Sequence, residues 1–146
     1  MPKATFYTHV VHPAVFACRL AGRAIRDGGR VLVWSDSADT ITRLDRDLWQ
    51  QDAESFIPHE IWQINEAMPS ETPVLLATAN TLPTLAADIT VLNLSSDFWS
   101  DAPQPPERVL EIVGNSLEDL AEARERFRAY RQSGFNIEHH KMEGKA

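Results

Sequence analysis

The sequence predicts an α/β protein with a three-layer open, mostly parallel sheet that carries helices on both faces. Segments rich in β-branched and aromatic residues alternate with segments of helical periodicity along the 146 residues. This alternation is typical of parallel strands joined by helical crossovers. Residues 31–34 form a short continuous apolar run, as expected of a central strand that is covered on both faces.

The first half of the chain predicts two strand–helix units. Residues 5–10 are rich in aromatic and β-branched residues and predict the first strand, and residues 30–34 predict the second. The first helix begins at Pro13, which suits a first helical turn, and ends before Gly28, a usual left-handed terminator. The second helix begins after capping oxygens and buries three residues at helical spacing: Ile41, Leu44 and Leu48.

The second half predicts three further strands and one long helix. An ordered loop at residues 52–59 precedes strands at residues 72–77, 87–94 and 108–113. Ser116 and Asp119 have the spacing of a capping box and begin the final helix, which continues through Arg131. We therefore place one domain at residues 1–136 and a polar, exposed C-terminal tail at residues 137–146, which contains His139 and His140.

The composition predicts a single-domain, cytoplasmic protein that does not associate with a membrane. Hydrophobic residues make up 43% of the chain and charged residues 24%, as in an ordinary globular domain. No segment approaches the roughly 18 consecutive apolar residues that cross a bilayer, and the N-terminus lacks the apolar segment of a signal peptide. Cys18 is the only cysteine, so we expect no disulfide and place this residue in the core.

The charge distribution argues against a large nucleic-acid footprint. The formal net charge is -7, and residues 31–107 contain thirteen acidic residues against two basic ones, Arg43 and Arg46. Such a surface repels a phosphate backbone, whose neutralisation supplies most nucleic-acid affinity. We therefore expect no large DNA footprint, whereas a small basic patch near the C-terminus favours an acidic peptide.

The sequence shows no recognisable constellation for catalysis, cofactor binding or metal binding. Residues 8–13, where this fold would bind a dinucleotide, contain no glycine that lets backbone amides approach a pyrophosphate. A P-loop is also absent, and His9 and His12 lack the third ligand that zinc requires. No serine or cysteine lies in a nucleophile elbow. We therefore predict no catalytic residue, no cofactor and no metal site.

The final helix carries the clearest candidate for a binding site. At 3.6 residues per turn, three arginines share one face beside the rings of Phe127 and Tyr130: Arg124, Arg128 and Arg131. Guanidinium groups next to aromatic rings bind carboxylates, phosphates or bases. The alternative interpretation is a solvated helix face whose charge complements the helix dipole. Arg126 points elsewhere on the helix, so we expect it to matter little for binding.

A group of large apolar residues near the end of the second helix is the other candidate. This group comprises Trp49, Phe56, Ile57 and Trp62. Buried, these side chains would fill the core and cap the sheet edge. Exposed, they would present a hydrophobic patch to a permanent partner.

Three segments of the chain resemble the chi subunit family of bacterial DNA polymerase III. The first is Ala-Thr-Phe-Tyr at residues 4–7. The second combines Arg-Leu-Asp-Arg-Asp-Leu-Trp at residues 43–49 with Ala-Glu-Ser-Phe-Ile-Pro-His at residues 53–59. The third combines Ala-Arg-Glu-Arg-Phe-Arg-Ala-Tyr-Arg at residues 123–131 with Gly-Phe-Asn at residues 134–136. The last two segments are specific, because they hold aromatic, proline and arginine positions in a fixed order.

The resemblance implies a Rossmann-like fold without nucleotide and a non-catalytic place in the clamp-loader assembly, with the polymerase activity in another subunit. Members of that family form a heterodimer with the psi subunit and bind the acidic C-terminal tail of single-stranded DNA-binding protein. The family's tail site matches Arg124, Phe127 and Arg128, to which Arg131 adds a further charge on the same face. The family's psi interface matches Trp49, Phe56 and Ile57.

Two positions depart from the tail site of the family. Phe127 stands where the family has a tyrosine, and residues 117–122, about one turn earlier, contain no counterpart of a family lysine. The resemblance therefore implies a weaker affinity for the tail than in typical relatives.

Two functions of other classes also follow from the residues. A direct single-stranded nucleic-acid-binding module would use arginine and aromatic stacking, and its binding would depend strongly on salt. An enzyme on a nucleotide-binding fold would require a glycine-rich first turn or a catalytic cluster, and the sequence contains neither.

Overall fold

The computed structural model describes residues 2–50, 57–86 and 88–143. Its strands are β1 (Lys3–Thr8), β2 (Arg30–Trp34), β3 (His59–Ile61), β4 (Val74–Ala77), β5 (Ile89–Asn93), β6 (Arg108–Ile112) and β7 (Asn136–Lys141). Its helices are α1 (Pro13–Arg26), α2 (Ala38–Gln50) and α3 (Leu117–Gln132), with one 3-10 turn at Trp99–Asp101. The strands form a single sheet in the order β3-β4-β2-β5-β6-β1-β7. Every pairing within the described ranges is parallel.

Helices cover both faces of this sheet, which confirms the predicted three-layer architecture. On one face α1 and α2 pack their apolar sides against alternate strand residues, including Val31, Val33, Leu76, Leu92 and Leu110. On the other face α3 packs Ala123 and Tyr130 against a second cluster, which includes Phe6, Leu32 and Trp34. The central strands are buried on both sides, which explains why their sequences are continuously apolar.

The helix ends follow the predicted signals. Pro13 lies in the first turn of α1, and Gly28, just beyond its end, has a φ of 85° that a side chain would strain. The hydroxyl of Ser116 accepts a hydrogen bond from the Asp119 backbone N–H at 3.0 Å and caps α3. These local signals therefore place the final helix, which carries the candidate site.

The C-terminal segment differs from the prediction. Residues 137–141 do not lie in a tail beyond the domain, because they form most of β7 and pair with β1, with His139 opposite Phe6. β7 is an edge strand whose side chains are mostly exposed, so it lacks the apolar alternation by which strands are recognised. The three-residue edge strand β3 is also new, since the sequence predicted a loop up to His59. The predicted exposure of His139 and His140 is confirmed.

Two predictions about solvent and membrane contact can be compared with the described residues. Cys18 lies buried in α1, as predicted. Burial raises the pKa of its thiol to about 11, and the negative charge of Asp47 adds to this effect. None of the helices in the described ranges combines the length and the apolar character that a membrane crossing needs.

Candidate functional site

A pocket of about 530 Å³ lies between α3 and the C-terminal ends of β1 and β7. From α3 it is lined by the four predicted residues, Arg124, Phe127, Arg128 and Arg131, together with Leu120 and Ala123. From the strands and the turn after β1 it is lined by Phe6, Thr8, His9 and His139. We call this cavity the α3 pocket. The fold thus brings Arg124, Phe127, Arg128 and Arg131 to one concave surface, whereas Tyr130, which was also expected beside these arginines, is buried in the core.

The α3 pocket has an apolar wall and a cationic rim. Phe127 is half-buried and packs against Phe6, with the ring centroids 5.6 Å apart. Arg124, Arg128 and Arg131 are exposed around this wall. A pocket of this kind accommodates an apolar side chain whose neighbouring carboxylate pairs with a guanidinium group.

One rim arginine already has a weak partner on the same helix. A guanidinium N–H of Arg128 donates to Glu125 Oε1 at 2.9 Å, and both side chains are mostly exposed. Exposed ion pairs one helical turn apart contribute at most about 1 kcal/mol. A ligand carboxylate therefore replaces Glu125 at small cost.

Arg126 faces the sheet and belongs to a buried polar network. Its Nε donates to Glu111 Oε1 at 2.9 Å, and the hydroxyl of Tyr130 donates to Glu111 Oε2 at 2.6 Å. The side-chain amide of Asn93 donates to the same carboxylate. Arg126 thus points away from the α3 pocket, as predicted, and its burial in this network gives it a structural role that the sequence did not indicate. The network attaches α3 to β5 and β6.

Burial changes the pKa values of the Glu111 and Tyr130 side chains in this network. Burial raises the pKa of the Glu111 carboxyl, and the charge of Arg126 and the donors from Tyr130, Asn93 and Arg126 act against that rise. Burial, followed by the neighbouring charge of Glu111, raises the pKa of Tyr130 well above its ordinary value. The Tyr130 hydroxyl therefore keeps its proton and acts as a donor to Glu111.

Sequence reasoning missed the strand side of the α3 pocket. Thr8, His9 and His139 line it, and His9 has a φ of 60°, a left-handed conformation that is uncommon outside glycine. At His9 the turn after β1 therefore adopts the left-handed conformation that glycine would supply in a nucleotide-binding fold. The absence of glycine from residues 8–13 was the sequence feature that could have drawn attention to this turn.

The crevice at the C-terminal ends of the central strands is acidic. Asp36, Asp119 and Glu122 line a cavity of about 310 Å³ there, beside Ser95 and Ser96. Parallel sheets of this type bind nucleotides in that crevice. Carboxylates at this place repel phosphate groups. Among the described residues, no group of three or more His, Cys, Asp or Glu side chains is arranged to hold a metal ion.

The second predicted surface lies at the end of α2. Trp49 is 58% exposed, and its ring centroid lies 4.7 Å from that of the buried His59. Ile57 is buried in the core beside Gly22, whereas Phe56 lies outside the described residues. Trp62 is also buried, so Trp49 alone of the described members of this group offers a large apolar surface. A role for Trp49, Phe56 and Ile57 in a protein interface stays a prediction.

Comparison with known proteins identifies the family. Residues 1–138 match the family described as DNA polymerase III chi subunit, HolC. The chain is 35% identical over 122 residues to the DNA polymerase III subunit chi of Escherichia coli K12, which covers 82% of this chain and 79% of that protein. It is 31% identical over 126 residues to the protein of the same name from Pseudomonas aeruginosa PAO1, with 86% and 84% covered. The chain therefore belongs to the chi subunit family of DNA polymerase III, an enzyme of DNA replication.

Proposed function

We propose that the chain is a non-catalytic adaptor of DNA polymerase III. In this proposal, the α3 pocket binds the acidic C-terminal tail of single-stranded DNA-binding protein, and the surface around Trp49 binds the psi subunit, which links the chain to the clamp loader. The observation that carries the proposal is the convergence of Arg124, Phe127, Arg128 and Arg131 on one pocket. A solvated helix face would not need an apolar wall between its charges.

The chemistry of the α3 pocket fits an acidic peptide that ends in an apolar residue. The terminal apolar side chain lies against Phe127, which Phe6 supports from behind. The terminal carboxylate and the acidic residues before it pair with Arg124, Arg128 and Arg131. Charge-assisted hydrogen bonds from guanidinium groups to carboxylates are among the strongest available to a protein surface.

The two proposed surfaces lie far apart in the fold. Trp49 lies in the last turn of α2. This helix packs near β3 and β4 on one face of the sheet, whereas α3 packs on the other face beside β7. β3 and β7 are the opposite edges of the sheet. One chain therefore has room to hold both partners at once, as an adaptor requires.

The acidic remainder of the surface supports indirect contact with DNA. A net charge of -7 disfavours binding to a phosphate backbone and leaves attraction to anions to the local rim of arginines. The acidic tail of single-stranded DNA-binding protein is therefore a better ligand for the α3 pocket than DNA itself.

A direct test is the titration of a fluorescent acidic tail peptide against the wild type and single variants. Arg124→Ala and Arg128→Ala should each weaken binding by about tenfold or more, because each removes a charge-assisted hydrogen bond of roughly 1.5 to 3 kcal/mol. Arg19→Ala is the matched control, since Arg19 is an exposed arginine of α1 on the other face of the sheet. Equal affinities for the wild type and all three variants would support the alternative interpretation, in which the arginines of α3 form a solvated helix face.

A further inference from the structure

The strand side of the α3 pocket contains a chain of three hydrogen-bonded polar side chains. The Thr8 hydroxyl oxygen lies 2.7 Å from Nε2 of His139 and 3.0 Å from Nδ1 of His9. Thr8 is buried, whereas both rings reach the pocket. The hydroxyl thus connects two imidazole rings that come from different elements, the turn after β1 and the edge strand β7.

The number of protons on these three side chains limits how many N–H donors the two rings can offer to a ligand. A hydroxyl group has one hydrogen, so Thr8 donates to at most one ring, and a neutral imidazole carries one N–H. If both hydrogen bonds are kept, the outer nitrogens of His9 and His139 together carry at most one hydrogen. One added proton turns both outer nitrogens into donors, which is the state that an anion lying across the two rings requires.

We propose that Thr8, His9 and His139 form a second anion subsite of the α3 pocket, which receives a carboxylate of the bound peptide together with about one proton. This inference rests on the proposed binding of an acidic peptide by the pocket. Histidine is the side chain whose charge ordinarily changes between about pH 5 and 8. The subsite therefore makes peptide binding stronger at mildly acidic pH.

The charges around the subsite come from α3 and from the end of the chain. Arg124, Arg128 and Arg131 face it from α3, and Lys141, the last residue of β7, forms an ion pair with Glu143 at 3.1 Å. The hydrogen bond from Lys141, followed by the charge of Lys141 and more weakly that of His9, lowers the pKa of Glu143. A bound carboxylate supplies the acceptor for the two ring donors that one added proton provides. Protonation and peptide binding are therefore coupled.

The backbone at His9 is consistent with a ligand-binding role. Its φ of 60° lies in the left-handed region, which histidine enters more often than most other non-glycine residues, and residues in such conformations cluster at ligand-binding sites. Asparagine tolerates the same conformation, so His9→Asn removes the titrating group while it preserves the turn.

The test is titration of a fluorescent acidic peptide, which ends in an apolar residue and a free carboxylate, between pH 5.5 and 8.0 at constant ionic strength. Wild-type affinity should rise about five- to tenfold from pH 7.5 to 5.5, as expected for a gained charge-assisted hydrogen bond. His139→Gln and Thr8→Val should each lose most of this rise, and so should His9→Asn. A C-terminally amidated peptide distinguishes the terminal carboxylate from an acidic side chain as the group that occupies the subsite.

His140→Gln is the matched control. His140 is the next residue of β7, but it stacks on Tyr7, with the ring centroids 5.3 Å apart, on the other face of the sheet. This variant should keep the wild-type pH dependence. The same pH dependence in the wild type, His139→Gln and Thr8→Val would overturn the subsite and leave the proposed function intact. Absence of wild-type binding at every pH would overturn both.

Discussion

Replacement of Arg126 by alanine should strongly destabilise the protein although the residue lies on the same helix as the exposed arginines. The change leaves the Glu111 carboxylate, which has no exposed surface, without the cation whose Nε lies 2.9 Å away. Removing one partner of a buried ion pair costs about 3–5 kcal/mol. A domain of this size has a total stability of only about 5–15 kcal/mol. The loss is therefore a large fraction of the free energy of unfolding.

Urea denaturation followed by tryptophan fluorescence measures this loss, since Trp34 and Trp99 are fully buried. Arg128→Ala is the control, because its partner Glu125 is exposed, and it should change the free energy of unfolding by less than about 1 kcal/mol. Glu111→Gln should restore part of the stability in the Arg126→Ala background by removing the unpaired charge. If Arg126→Ala costs as little as Arg128→Ala, the assignment of a buried network beneath α3 is refuted.

Three further outcomes are expected. Trp49→Ala should abolish psi binding in a co-purification assay but leave tail binding intact. Because Trp49 is 58% exposed, the free energy of unfolding should stay within about 1 kcal/mol of wild type, and unfolding of this variant would place Trp49 in the core. Cys18 should resist thiol-labelling reagents at about pH 8 in the native state, because its thiol has a pKa of about 11 and only the thiolate reacts. Fast labelling of the native protein would contradict the burial of Cys18. Nucleoside triphosphates at micromolar concentration should leave the melting temperature unchanged, because a ligand of the folded state would raise it; an increase would contradict the proposal of a non-catalytic adaptor.

Much of the fold could be predicted because its signals are local. The apolar run of β2 and the capping oxygen of Ser116 each act within a few residues, so the sequence carries them directly. The edge strand β7 has no such signal, since its exposed side chains Glu138, His139 and His140 read as a polar tail. Its place depends on backbone pairing with β1, which is a tertiary interaction.

The candidate site was predictable only on its helical side. The periodicity of α3 brings Arg124, Phe127 and Arg128 together without knowledge of the fold. The other side is assembled by residues distant in sequence, His9 and His139, through sheet order. The buried role of Arg126 was missed for a similar reason, since its partner Glu111 lies in a different element.

The most direct test of the central claim is to map the bound tail peptide by nuclear magnetic resonance on the isotope-labelled protein. We predict that amide shifts upon titration concentrate on residues 120–131, on Phe6 and on His9, which surround the α3 pocket, and that Trp49 does not respond. Shifts that concentrate at the end of α2, or that are absent at saturating peptide, would contradict the assignment of the α3 pocket as the tail-binding site.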